Sequence, residues 1–289
     1  MPELPEVEIT ARLLDSALRG ARIESAVAPG INALKTFEPP LSALAGDEIA
    51  AVRRRGKHLI IETSGGLALL IHLMSAGRLQ LYDKRAGPRD RTSRLLVRVT
   101  AQAPGEMPRE LELRLREFGS KQAAWVKVLP AGALERDDAV ATLGPEAWPD
   151  PPTLSDVLDA PRPLHAILRD QRVIAGIGRS WVDEILWEAQ LSPYKRGADL
   201  QPPEAERLRA AIVETLDRAI AHYEDVIELP IPDKLPMPLR IHRHQGEPCP
   251  RCATTLEAVH FEDYVIAYCP ACQTEGRVLK DRRLSRLLR

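Results

Sequence analysis

Hydrophobic positions along the chain change their period twice. Val7, Ala11, Leu14 and Leu18 fall at helical spacing, with Gly20 where a left-handed cap is usual, and predict a helix over 5–19. From 21 to 129 the pattern becomes short β-type runs, at 22–27, 48–52, 58–62, 67–73, 94–100, 111–116 and 122–128. Gly65-Gly66 reads as a hairpin turn between two of them, and many short strands with turn signals predict a β-sandwich. Seven prolines from Pro130 to Pro163 mark a boundary. Helical spacing follows over 163–172, 179–189 and 203–223, then an extended link over 229–239 with four prolines. Strands are expected near 254–261 and 264–268. The expected class is α+β: a helix and β-sandwich over 1–130, a linker over 131–162, a helical domain over 163–239, and a cysteine-bearing hairpin with a basic tail over 240–289.

Length and composition exclude several classes. A chain of 289 residues with 44% apolar content can bury ordinary cores and suggests about two domains. The longest apolar run, 67–71, is far below the ~18 residues that span a bilayer. The acidic, proline-broken start lacks the pattern of a signal peptide, so a cytoplasmic protein is expected; its expected state is a monomer. A net charge of −1 argues against a uniformly basic nucleic-acid binder. Its distribution changes that picture. Residues 53–98 carry eleven Lys/Arg against three Asp/Glu, 277–289 six against one, and 131–160 one against seven. Two basic segments that converge can form one positive groove on a neutral chain. Only 4% aromatics disfavours a single-strand reader built on base stacking.

Two segments carry candidate chemistry. Cys249-x2-Cys252, sixteen residues, then Cys269-x2-Cys272 has zinc-site spacing, with two knuckles joined by a hairpin closing an S4 cage. Two disulfides are the rival reading, disfavoured in a reducing compartment. His242, His244 and His260 lie nearby, but four sulfurs saturate tetrahedral zinc, so these read as surface histidines. At the other end, Pro2-Glu-Leu-Pro-Glu-Val-Glu8 is at least a capped helix start. Removal of Met1 would expose the secondary amine of Pro2. An α-amine of pKa ~7.7–8.0 is roughly a tenth to a fifth unprotonated at pH 7, which suits attack on a sugar C1′. Glu3 could then act as general acid or base.

Pro2–Glu8, Gly56-Lys57, Ala175-Gly-Ile-Gly178 with Asp183-Glu-Ile-Leu186, and the four cysteines together resemble the formamidopyrimidine-DNA glycosylase / endonuclease VIII family. The resemblance runs the whole chain. It implies an N-terminal β-sandwich, a helix-two-turn-helix domain, a zinc-finger hairpin, and duplex DNA bound with the damaged nucleotide flipped out. It further implies a bifunctional glycosylase / abasic-site lyase of base-excision repair, found where the DNA is. Pro2 becomes the Schiff-base nucleophile, Glu3 the proton donor, Glu6 a supporting carboxylate and Lys57 the phosphate-contacting lysine. His72 approaches a phosphate, Arg116 and Phe118 fill the gap left by the flipped base, and Gly176 and Gly178 let backbone approach phosphate. The alternative is a damage- or abasic-site-binding protein of the same fold without turnover.

Departures from the family pattern are specific. Arg179 stands in place of a phosphate-binding asparagine, and Ser75 in place of a gap-filling methionine. Met74 lies one position early, which in a strand would face the opposite side. Glu117 replaces a second arginine, a charge reversal expected near the duplex, and Tyr264 replaces the finger arginine linked to δ-elimination. The segment after Tyr223 lacks a Gly-Ser-Thr stretch, which argues against 8-oxoguanine as preferred substrate.

Overall fold

A computed structural model describes residues 2–30, 32–87, 90–102, 107–118, 122–261 and 263–279, without the side chains of Asp156 and Val157. Most of the expected basic tail, from 280 onward, lies outside the described residues. The chain forms two compact units: Met1–Thr142 with Ile220–Pro236, and Leu143–Ala219 with Met237–Arg289. Among the described residues no helix is long and apolar enough to cross a membrane.

The first unit opens with α1 (Leu4–Leu18) and continues as eight strands. These are β1 (Arg22–Val27), β2 (Ile49–Arg55), β3 (His58–Thr63), β4 (Leu67–His72), β5 (Gly77–Tyr82), β6 (Ser93–Ala101), β7 (Arg109–Glu117) and β8 (Trp125–Pro130). They make two antiparallel sheets, ordered β1-β6-β7-β5 and β2-β3-β4-β8. Period-two alternation sends Leu95, Val97 and Val99 of β6 and Leu113 and Leu115 of β7 into the shared core, where α1 adds Val7, Leu14 and Leu18. Each such side chain, fully buried, contributes roughly 1.5–3 kcal/mol. The continuous apolar run of β4 has a different cause. Leu69 and Ile71 face that core, while Ala68 and Leu70 join Ile60 in a second cluster with Leu134 and Val140, the latter on the short α2 (Asp138–Ala141).

Strand β5 was not among the expected elements. Only Leu79 and Leu81 alternate inward, after a turn that Gly77 makes possible: a Cβ there would lie 2.4 Å from the Leu73 carbonyl oxygen. The turn also corrects the strand argument about Met74 and Ser75. Both lie in it, outside the ladder, with Met74 at φ 49° and Ser75 exposed.

The second unit carries the short α3 (Leu154–Val157) and α4 (Leu164–Ile167), α5 (Arg179–Glu188), and most of α6 (Pro202–Val226). The finger adds β9 (Glu257–His260), β10 (Val265–Tyr268) and α7 (Pro270–Thr274), with His260 paired to Val265. The helix expected over 163–172 ends after one turn. Gln171 instead braces a loop, its amide oxygen accepting from Gly176 N–H at 2.9 Å and its nitrogen donating to Ile177 O at 2.8 Å. Gly176 takes φ +109° there, a conformation that favours glycine.

Candidate active site and metal centre

Pro2 is buried immediately before α1, whose N-cap is Glu3. Glu3 and Glu6 close a reciprocal capping box, with Glu6 Oε2 accepting from Glu3 N–H at 2.8 Å. Both carboxylates are almost fully buried. The other oxygen of Glu6, Oε1, accepts from the phenol of Tyr223 at 2.6 Å. Sequence thus placed Pro2, Glu3 and Glu6 together; Tyr223, 217 residues from Glu6, was missed.

Lys57 is buried in the two-residue turn between β2 and β3, where Gly56 takes φ +56° at the first central position. Its charge reaches His72, at the end of β4. Burial, then the nearby His58 and Lys57, lower the pKa of His72 to about 3, so the ring is neutral near pH 7. Its Nδ1 accepts from Met74 N–H at 2.9 Å, which leaves Nε2 as the protonated donor. Cross-strand register lines up His58, His72 and Trp125, and the rings of His72 and Trp125 stack 5.7 Å apart.

Arg116, near the end of β7, is packed and bonded. It donates to Tyr82 Oη at 2.8 Å and Thr92 Oγ1 at 3.1 Å, and its guanidinium carbon lies 4.6 Å from the Phe118 ring centroid. Glu117 points the other way. It is buried and accepts the backbone N–H of Ala123 at 2.8 Å and Ala124 at 3.0 Å. The expected charge reversal at a DNA face is therefore an internal loop anchor.

In the second unit Gly178 is the N-cap of α5 and Arg179 its first residue. The Arg179 guanidinium pairs with Asp263 at 2.6 Å and lies 5.1 Å from the Tyr264 ring centroid, while Arg169 lies 4.5 Å from it. Tyr264 stacks on Phe261 at 4.4 Å. A neutral phenol at the finger position thus gathers two guanidinium groups, of which Arg169 was missed. Asp183 and Glu184, noted only as motif letters, tie α5 to the finger. Glu184 accepts the N–H groups of Arg240, Ile241 and His242 at 2.9–3.0 Å. Asp183 accepts Ala267 N–H at 2.9 Å and meets His242 Nδ1 at 2.7 Å and His165 Nε2 at 3.2 Å. His242 is accordingly buried, against the expectation of a surface residue, whereas His244 is half-buried and His260 exposed.

The Sγ atoms of Cys249, Cys252, Cys269 and Cys272 lie within 4.8 Å of one another. Hydrogen-bond-range separations of 3.5 Å (252 to 269), 3.4 Å (252 to 272) and 4.0 Å (249 to 272) bracket the edge of about 3.8 Å that a tetrahedron with ~2.3 Å metal–sulfur bonds requires. They are too long for disulfides, whose bond is ~2.05 Å. Trp187 Nε1–H donates to Cys249 Sγ at 3.4 Å. The four residues can hold one metal ion.

Comparison with known proteins agrees with this geometry. Residues 1–119 match the formamidopyrimidine-DNA glycosylase N-terminal domain, and residues 144–230 the formamidopyrimidine-DNA glycosylase H2TH domain. The formamidopyrimidine-DNA glycosylase of Moorella thermoacetica is 33% identical over 273 residues, covering 90% of this chain and 94% of that one. The enzyme of that name from Thermus thermophilus is 31% identical over 288 residues, with 96% and 100% covered. Among solved structures, MutM in complex with DNA containing carbocyclic 8-oxo-G superposes with TM-score 0.80 at 26% identity, covering 94% of this chain and 100% of that one. Lactococcus lactis Fpg (MutM) with N7-benzyl-Fapy-dG-containing DNA gives 0.79 at 25%, with the same coverage. This chain belongs to the formamidopyrimidine-DNA glycosylase family, DNA glycosylases of base-excision repair.

Proposed function

We propose that the protein is a bifunctional DNA glycosylase / abasic-site lyase acting on duplex DNA through the amine of Pro2. The supporting observation is that Pro2 adjoins two buried carboxylates locked by a reciprocal capping box, in a chain of this family. With Met1 removed, the Pro2 nitrogen attacks C1′ of the damaged nucleotide, the bond from C1′ to the base breaks, and an iminium forms. Glu3 donates a proton to the deoxyribose as its ring opens. Loss of a C2′ proton then expels the 3′ phosphate by β-elimination, and water releases the sugar from Pro2. Lys57 holds the phosphate, and His72 faces it as a neutral N–H donor.

Gly178, Arg179 and Tyr264, with Arg169 beside them, form a phosphate-binding surface in which guanidinium charge offsets the missing finger arginine. Ser75, Arg116 and Phe118 border the vacated base position. Cys249, Cys252, Cys269 and Cys272 hold one Zn²⁺, which supplies a structural cross-link to the finger.

Borohydride trapping on a duplex with one abasic site tests the reading. The expected result is a covalent adduct that disappears in Pro2→Gly or when an N-terminal tag blocks the amine. Absence of adduct with native protein whose first residue is verified as Pro2 would favour a binding protein without turnover.

A further inference from the structure

Glu6 has two carboxylate oxygens, and they face different partners. Oε2 accepts the N–H of Glu3 at 2.8 Å, one residue from Pro2, and Oε1 accepts the phenol of Tyr223 at 2.6 Å. A short O–H···O⁻ bond in a buried setting is among the stronger hydrogen bonds of a protein. Tyr223 has no solvent exposure and Glu6 only 2%. Burial first, then the negative charges of Glu6 and Glu3, push the phenol's pKa upward, so it remains the donor.

The phenol is also held from behind. Ile220, Tyr223 and Ile227 form one buried stripe along the end of α6 and the residue just past it. The proline-bracketed segment beyond is fastened to β5. Gln80 Nε2 donates to Asp233 Oδ1 at 3.0 Å, and Arg78 Nε to Asp233 O at 2.7 Å.

We propose that Tyr223 is a positioning residue of the reaction proposed above, setting the rotamer of Glu6 so that its second oxygen stays on the Glu3 N–H beside the Pro2 amine. This inference rests on the reading of Pro2 as nucleophile. The helix that anchors the phenol begins among elements remote in sequence from α1, yet its last turn completes the N-terminal site. Tyr223→Phe keeps the ring and the buried stripe while removing one donor.

The test compares wild type, Tyr223→Phe, Glu6→Gln and the double variant in single-turnover borohydride trapping on abasic-site duplex across pH. It also measures Kd for a duplex with a tetrahydrofuran abasic analogue, and Tm. Tyr223→Phe is expected to trap about 10- to 100-fold more slowly, the worth of a hydrogen bond to a charged group. Its Kd should stay within about twofold, and the acidic limb of its pH profile should move to higher pH because the carboxylate has lost a donor. In the Glu6→Gln background the same change should add nothing. Trapping at the wild-type rate, an equal loss in both backgrounds, or a loss that tracks Kd and Tm would each overturn the proposal. If wild-type protein forms no adduct, the Pro2 reading falls and this inference falls with it; a normal wild-type adduct with an unaffected Tyr223→Phe variant defeats the inference alone.

Discussion

Two pairs of buried carboxylates invite comparison: Glu3 and Glu6 at the start of α1, and Asp183 and Glu184 within α5. All four are at most 2% exposed and all accept backbone or side-chain hydrogen bonds. Their neighbours differ. Glu184 spends its oxygens on three consecutive N–H groups, and Asp183 bonds one N–H and His242 and lies 3.2 Å from His165, so both fasten finger segments to a helix. Burial of Asp183 raises its pKa to about 6, yet the partners it meets among the described residues are a backbone N–H and two histidines that link structural elements. Glu3 and Glu6 close a capping box within one turn, Glu6 also holds the Tyr223 phenol, and both lie beside Pro2, the nucleophile proposed above. A buried carboxylate therefore marks function only through the chemistry beside it.

Four experiments would break or sharpen that contrast. The largest effect is expected for Glu3→Gln, which should slow adduct formation on abasic-site duplex by about 10²–10⁴-fold while Tm changes little. A Tm loss without a rate loss would place Glu3 with the structural pair. Next, Glu184→Ala strands three N–H groups, those of Ile241 and His242 buried, and should destabilise the second unit by about 3–5 kcal/mol, read as a lower melting midpoint and faster metal release to a chelator. Unchanged metal release would dissolve the distinction.

Third, the depressed pKa values of His58, to about 4 chiefly through burial, and His72, to about 3, imply acid sensitivity of the sandwich. The unfolded rings protonate near 6.5 while the folded ones do not, so stability present above 6.5 is lost as pH falls toward 4. The cost is roughly 3 kcal/mol for His58, and His58→Gln should flatten the urea-unfolding profile over that window. The smallest effect is expected for Arg179→Ala: DNA affinity reduced about fivefold and a salt slope shallower by about 1, with adduct chemistry at saturating DNA unaltered.

Legibility from sequence followed contact range. Strands β6 and β7 were readable because burial alternates along much of each nine-residue strand and reports one buried face. β5 escaped because its signal is two leucines after a turn. The helix read over 163–172 was overextended, since Leu164, Ile167 and Leu168 are buried at helical spacing although the chain leaves the helix to form the Gln171-braced loop. Glu117 was misjudged because its orientation depends on where Ala123 and Ala124 return.

The sequence by itself picked out the two candidate centres, because each is written in nearly contiguous letters. Pro2 and Glu3 are neighbours and the cysteines of a zinc knuckle stand three apart, so these could be picked out directly, while Glu6 came with the family resemblance. Tertiary structure alone decided which distant groups complete them. Tyr223 reaches Glu6 across 217 residues, Trp125 meets His72 through sheet register, and Arg169 and Arg179 converge on Tyr264. No periodicity encodes such pairs. They exist because burial forces each polar group to find a partner wherever packing brings one within reach.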